Sequence, residues 1–212
     1  MSAIAADTPR GRDPGAVRAA FVDRDGVIIE DRAYAYRSED CVLLPGAARA
    51  LRALQSAGYL LVVVTNQSGI ARGLYTEADY HAFTAQLRTL LLAEGVRLDE
   101  IRHCPHLPDA AVPAYRMDCD CRKPRPGMLL DSIRALGIDP RAAVLIGDRA
   151  TDVAAGRAAG VGRCLLVRSG QPISPADAAL ADGVCDDLDA CVRELLAGDA
   201  AGPGSRGSVS GS

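Results

Sequence analysis

The chain has 212 residues, 49% hydrophobic, 24% charged and 4% aromatic, with no Trp, and 24 Lys+Arg against 27 Asp+Glu give a formal net charge of -3. This composition excludes a largely disordered chain, and it offers neither the basic footprint nor the stacking surfaces that nucleic-acid binding needs. The longest strongly apolar run, residues 59–64, is far short of the roughly 20 residues that span a bilayer.

In chain order, residues 1–16 are polar and Pro/Gly-rich and read as a loose arm. Residues 17–22 read as a buried strand ending at Asp23, and 47–57 as a helix stopped by Gly58. Residues 59–64 form a strand ending at Thr65. Thr76 and Asp79 have capping-box spacing and open a helix that runs to about Glu94. A short strand is expected over 101–104, and a helix over Gly127–Leu136. A strand over 143–146 ends at Gly147 and Asp148, and a helix follows over 151–159. The strand Arg163–Val167 and a helix over 187–197 complete the body, and 198–212 is a Gly/Ser-rich tail expected to be disordered. Strands alternating with helices predict an α/β domain over 17–197, a Rossmann-like parallel sheet with helices on both faces. No segment is long enough for a large cap domain.

Ligands of such sheets bind at the carboxyl ends of the strands. Asp23, Asp25, Thr65 and Asp148 all fall there. Alternate residues of an extended segment point the same way, so the carboxylates of Asp23 and Asp25 are expected to share one small site. Two carboxylates at close range call for a hard cation such as Mg²⁺, with Asp148 as a further ligand. Asp23 is placed to attack phosphorus and form an aspartyl-phosphate. Thr65 and Lys123 would stabilise the phosphoryl group, and Asp25 would serve as general acid and base. Lys123 stands out for another reason: it is the only lysine among the 24 basic residues, which marks a place where a compact ammonium serves and a planar guanidinium does not.

The segments FVDRDGV, VVVTNQSGIARG, CDCRKPRPGML and LIGDRATD resemble, in order and spacing, the four motifs of the haloacid dehalogenase-like (HAD) phosphohydrolases. More narrowly, they resemble those of the D-glycero-D-manno-heptose 1,7-bisphosphate 7-phosphatases. The resemblance covers about residues 19–171. It implies Asp23 as nucleophile, Asp25 as general acid/base, and Thr65 and Lys123 on the transferring phosphoryl group. It further implies Mg²⁺ held by Asp23, the carbonyl of Asp25, and Asp148. Substrate contacts are implied for Asp31, Arg32, Ala33, Tyr34, Asn66, Gln67, Ser68, Arg122 and Arg149. Two positions depart from the family pattern: Val27 stands where a threonine is frequent, and Arg149 where a lysine is common.

Seven cysteines in a chain without an apolar leader suggest a cytoplasmic protein with thiols or metal ligands rather than disulfides. Cys104, His106, Cys119 and Cys121 bring three sulfurs and one imidazole together, a set suited to tetrahedral Zn²⁺. Zinc would staple the 104–121 loop, which has no helical period, and would hold the adjoining Arg122 and Lys123 near the phosphate. Four protein ligands leave no open position for water, so this zinc is structural. The expected activity is a Mg²⁺-dependent sugar-phosphate phosphatase acting on a small molecule, as a monomer, with neither nucleic acid nor membrane as partner. Histidinol-phosphate phosphatase is the nearest alternative, and an inactive zinc-stabilised binding module is the alternative of another class.

Overall fold

The computed structural model describes residues 16–200. The arm expected over 1–16 and the tail expected over 198–212 thus lie almost wholly outside the described residues. Six strands, β1 (Ala19–Val22), β2 (Leu60–Asn66), β3 (Glu100–Cys104), β4 (Val144–Gly147), β5 (Arg163–Val167) and β6 (Gly183–Cys185), form one sheet in the order β3-β2-β1-β4-β5-β6. Every pair is parallel. The helices are α1 (Ala47–Ser56), α2 (Ser68–Ala71), α3 (Glu77–Ala93), α4 (Gly127–Leu136), α5 (Ala150–Ala158), α6 (Pro175–Leu180) and α7 (Leu188–Ala200).

The strands carry near-continuous apolar runs because both faces of the sheet are covered. Ala20, Val22, Leu61, Val63, Val144, Ile146, Leu165 and Val167 face one core, with Leu51 and Leu54 of α1, Phe83, Leu87 and Leu91 of α3, and Val192 and Leu195 of α7. The alternate residues Ala19, Phe21, Val62, Val64, Leu145, Cys164 and Leu166 face the second core, with Met128 and Leu129 of α4 and Val153 and Ala155 of α5. Phe83, Leu87 and Leu91 recur every four residues, so α3 presents one buried stripe. Its start is fixed by the expected box: the Asp79 N–H donates to Thr76 Oγ1 at 3.1 Å and the Thr76 N–H to Asp79 Oδ2 at 2.8 Å. Two short elements, α2 and β6, fall below the length at which periodicity speaks, and α7 runs to Ala200, past the expected end at 197.

The strand order reverses at β1, which lies between β2 and β4. The crevice of an open α/β sheet opens at such a point, beyond the strand ends. Gly26 turns the chain just after β1 with φ +75°, and a Cβ there would sit 2.7 Å from Gly170 Cα and 2.8 Å from Asp148 Oδ2. Val27 is fully buried in the first core, so the methyl that replaces a hydroxyl fills apolar space. Among the described residues no helix is long and apolar enough to cross a membrane.

Candidate active site

Asp23, Thr65 and Asp148 project from the ends of β1, β2 and β4, and Lys123 approaches from the loop before α4. The Asp23 N–H donates to Ile146 O at 3.0 Å, which ties the end of β1 to β4. Asp23 Oδ1 accepts from the Arg24 N–H at 2.7 Å, and Oδ2 lies 3.0 Å from Lys123 Nζ. The buried ammonium also lies 2.5 Å from Asp152 Oδ1 and donates to Val64 O at 2.8 Å. One hydrogen bond and two close ion pairs therefore surround this nitrogen. Asn66 clamps the backbone of the same lysine, donating from Nδ2 to Lys123 O at 3.0 Å and accepting the Lys123 N–H at 3.1 Å.

The acidic cluster consists of Asp23, Asp148 and Asp152, whose oxygens lie within 4.8 Å of one another. Asp25 lines the same cavity as Asp23 but is not part of this cluster. β1 ends at Val22 and the chain bends at Arg24, so alternation no longer governs the direction of Asp25. Its carboxylate instead accepts from Arg24 Nη2 at 2.9 Å and from Gln67 Nε2 at 3.0 Å. Arg24 is itself buried and lies over the Phe83 ring at 4.7 Å.

Burial raises the Asp23 carboxyl above its ordinary range, and Lys123 opposes the rise. Burial, Asp23 and Asp152 together push Asp148 up to about 7. Burial alone would lower Lys123, but Asp152 and Asp23 more than reverse it and hold the ammonium charged. Asp148 Oδ2 accepts the Gln171 N–H at 3.0 Å, whereas Oδ1 is buried without a hydrogen-bond partner. A buried, unpaired carboxylate oxygen beside two more carboxylates is the donor set of a hard divalent cation.

A cavity of about 450 Å³ opens over these groups. Asp23, Asp25, Thr65 and Lys123 line it, as do Asp31, Ala33, Tyr34, Asn66, Gln67, Ser68, Arg122 and Arg149. Arg32 does not: its guanidinium faces Glu30 at 2.7 Å and Asp40 at 3.7 Å. Ala33 and Tyr34 hold left-handed backbone at φ 48° and 68°, a strained state for residues with a Cβ; the Ala33 N–H donates to Asp31 Oδ1 at 3.1 Å. Arg24, Arg72, Tyr75, Thr151 and Gln171 also line the cavity; the first, second and fourth lie within the motif segments, but none of the five was given a role. Asp152 is the main omission. Its signal was its place at the end of the LIGDRATD motif, four positions after Asp148, where it was given no role.

The second cluster gathers Cys104, His106, Cys119 and Cys121. The Sγ–Sγ separations are 3.5 Å (Cys104–Cys119), 3.2 Å (Cys104–Cys121) and 3.3 Å (Cys119–Cys121), with His106 Nδ1 at 3.8 Å from Cys104 and 3.4 Å from Cys121. Zn–S bonds of about 2.3 Å and Zn–N bonds of about 2.0 Å imply tetrahedral edges of roughly 3.5–3.8 Å, so the donor set fits zinc after a slight expansion. Burial pushes the Cys104 and Cys121 thiols up, and a coordinated metal is what deprotonates such thiols. Leu107 and Ala110 of the same loop pack on Ala71 of α2, which joins the cluster to the wall of the cavity.

A family model described as HAD-hydrolase-like matches residues 120–191. The chain is 45% identical over 170 residues to the D-glycero-beta-D-manno-heptose-1,7-bisphosphate 7-phosphatase of Vibrio cholerae, covering 80% of this chain and 91% of that protein. It is 41% identical over 158 residues to a D-glycero-alpha-D-manno-heptose-1,7-bisphosphate 7-phosphatase of Photorhabdus laumondii, covering 74% of this chain and 86% of that protein. Among solved structures it resembles the D,D-heptose 1,7-bisphosphate phosphatase of B. bronchiseptica complexed with magnesium and phosphate, with a TM-score of 0.72 and 32% identity, covering 86% of this chain and 99% of that one.

Proposed function

Because this chain belongs to the D-glycero-D-manno-heptose 1,7-bisphosphate 7-phosphatase family of HAD-like hydrolases and is a phosphoric monoester hydrolase, we propose that it hydrolyses the 7-phosphate of a D-glycero-D-manno-heptose 1,7-bisphosphate through a covalent Asp23 phosphoenzyme, with Mg²⁺. The observation that carries the reading is the Asp23 carboxylate, fixed between the Arg24 N–H and Lys123 Nζ at the floor of the cavity.

Asp23, Asp148 and the carbonyl of Asp25 would hold Mg²⁺, which when bound supplies positive charge that screens the repulsion between the nucleophile and the phosphoryl oxygens. An Asp23 oxygen attacks phosphorus as the bond to the C7 oxygen breaks. Asp25 gives its proton to that leaving oxygen. The Thr65 hydroxyl and the Lys123 ammonium hold the phosphoryl oxygens as their charge grows. Asp25 then takes a proton from the water that attacks phosphorus, which frees Asp23 and inorganic phosphate. Ser68, Arg122, Arg149, Asp31, Ala33 and Tyr34 surround the sugar and its second phosphate. Cys104, His106, Cys119 and Cys121 bind structural Zn²⁺, and the enzyme works as a cytoplasmic monomer.

The test is phosphate release with Mg²⁺ across both heptose 1,7-bisphosphate anomers, histidinol phosphate and simple esters. A heptose bisphosphate is expected to turn over fastest, and Asp23→Asn to abolish release while keeping the fold. Faster turnover of histidinol phosphate, or an active Asp23→Asn protein, overturns the reading.

A further inference from the structure

Gln67 is buried at 3% exposure and follows Thr65 by two residues. All four of its hydrogen-bonding positions are occupied from within the protein. Oε1 accepts from Arg24 Nη2 at 3.0 Å and from the Tyr75 hydroxyl at 2.6 Å. Nε2 donates to Asp25 Oδ2 at 3.0 Å and to Thr65 Oγ1 at 2.8 Å. The direction of the amide is chemically fixed. Arg24 has only donors, so the amide oxygen must face it, and a reversed amide would set N–H against N–H there.

This direction has a consequence for Thr65. A hydroxyl has one proton to donate. Because Oγ1 accepts from Gln67, that proton is not used toward the amide, and no acceptor for it exists among the described residues. Thr65 is buried yet lines the cavity above Asp23. Its O–H is therefore left aimed at whatever anion occupies the cavity. The same amide keeps the Asp25 carboxylate against Arg24, on the wall of that cavity.

We propose that Gln67 is a positioning residue that sets the Thr65 hydroxyl as a phosphoryl donor and seats the Asp25 carboxylate, instead of contacting the sugar. The inference rests on the roles given to Thr65 and Asp25 in the proposed function. Its force comes from the amide hydrogens alone; the oxygen end anchors to Arg24 and Tyr75.

Gln67→Glu separates these two ends, because it is isosteric, keeps an acceptor for Arg24 and Tyr75, and removes the donors. Expected is a kcat loss of about 100- to 1,000-fold, the scale for one preorganised donor, with KM within about threefold, together with a lower melting temperature because the new carboxylate oxygen faces Asp25 and Thr65 in place of the amide donors. Gln67→Met, which keeps the bulk without polar atoms, should lose at least as much. In a Thr65→Val background the Gln67→Glu change should cost less than in the parent protein. In the unaltered protein the Gln67 side-chain amide protons should exchange slowly with solvent.

Retention of kcat within threefold in Gln67→Glu, or a tenfold rise in KM at unchanged kcat, overturns the proposal, as do an equal penalty in the Thr65→Val background or fast amide exchange. Asp23→Asn measured alongside keeps the two ideas apart. Turnover in that variant would count against the phosphoenzyme and leave the Gln67 geometry standing.

Discussion

Replacing Lys123 by Arg keeps the charge, and the structure says it should fail. The ammonium is 3% exposed. Its nitrogen donates to Val64 O at 2.8 Å and forms ion pairs with Asp23 Oδ2 at 3.0 Å and Asp152 Oδ1 at 2.5 Å. These acceptors surround one nitrogen, whereas a guanidinium spreads its donors around a planar fork. Forcing the larger group into a packed site costs about 1–3 kcal/mol. At least one charge-assisted hydrogen bond is lost, worth about 1.5–3 kcal/mol. The sum centres on about 3–5 kcal/mol, which for a domain of this size lowers the melting temperature by about 6–20 °C. The nitrogen left near Asp23 is also displaced from the phosphoryl oxygens, so kcat should fall by about 100-fold or more. Thermal unfolding followed by far-UV circular dichroism, since the chain has no Trp, and phosphate release with Mg²⁺ read the two effects. A Lys123→Arg protein that melts within about 3 °C of the parent and keeps kcat within about threefold, bounds roughly set by assay error, refutes the claim that this site is fitted to a compact ammonium.

Purified protein should contain about one zinc per chain by elemental analysis; Cys119→Ser should lose that metal and, with it, much of its resistance to heat and proteolysis. The Asp148 carboxyl, pushed up to about 7 from 3.8 by burial, Asp23 and Asp152, binds a proton more tightly folded than unfolded. Its contribution to metal-free stability should therefore decline as pH rises between those two values. Mg²⁺ competes with that proton, so the rise in melting temperature on adding Mg²⁺ should be larger at pH 8 than at pH 6, and the reverse order would contradict the assignment of Asp148 as a ligand.

The parallel sheet was legible because its strands are buried on both faces and separated by helices with their own stops, such as Gly58, Gly95 and Gly137. β6 and α2 were not, since three or four residues carry no period. Asp23, Thr65, Lys123 and Asp148 could be read because each follows a recognisable strand end or stands out in composition. Asp25 could be read as a cavity residue, but its bonds to Arg24 and Gln67 could not, because the strand stops at Val22 and period-two alternation no longer speaks there. Arg24 reads in sequence as a solvated charge between two acids, and only its packing under Phe83 and its fork to Asp25 show it to be buried. Asp152 and Gln67 matter through partners 29 and 42 residues away, and such pairings are invisible without the fold.

The bond from the Asp23 N–H to Ile146 O also dates the birth of the catalytic floor. The strand that leads into Asp23 is made well before one of its flanking strands, which begins only at Val144. At about 5–20 residues per second, translation needs roughly 6–25 s to cover the 123 residues between the two ends of that bond. Until then β1 can pair with β2, but the end of β1 lacks its bond to β4 and Asp148 is still missing, so the acidic cluster closes only once that strand has been made.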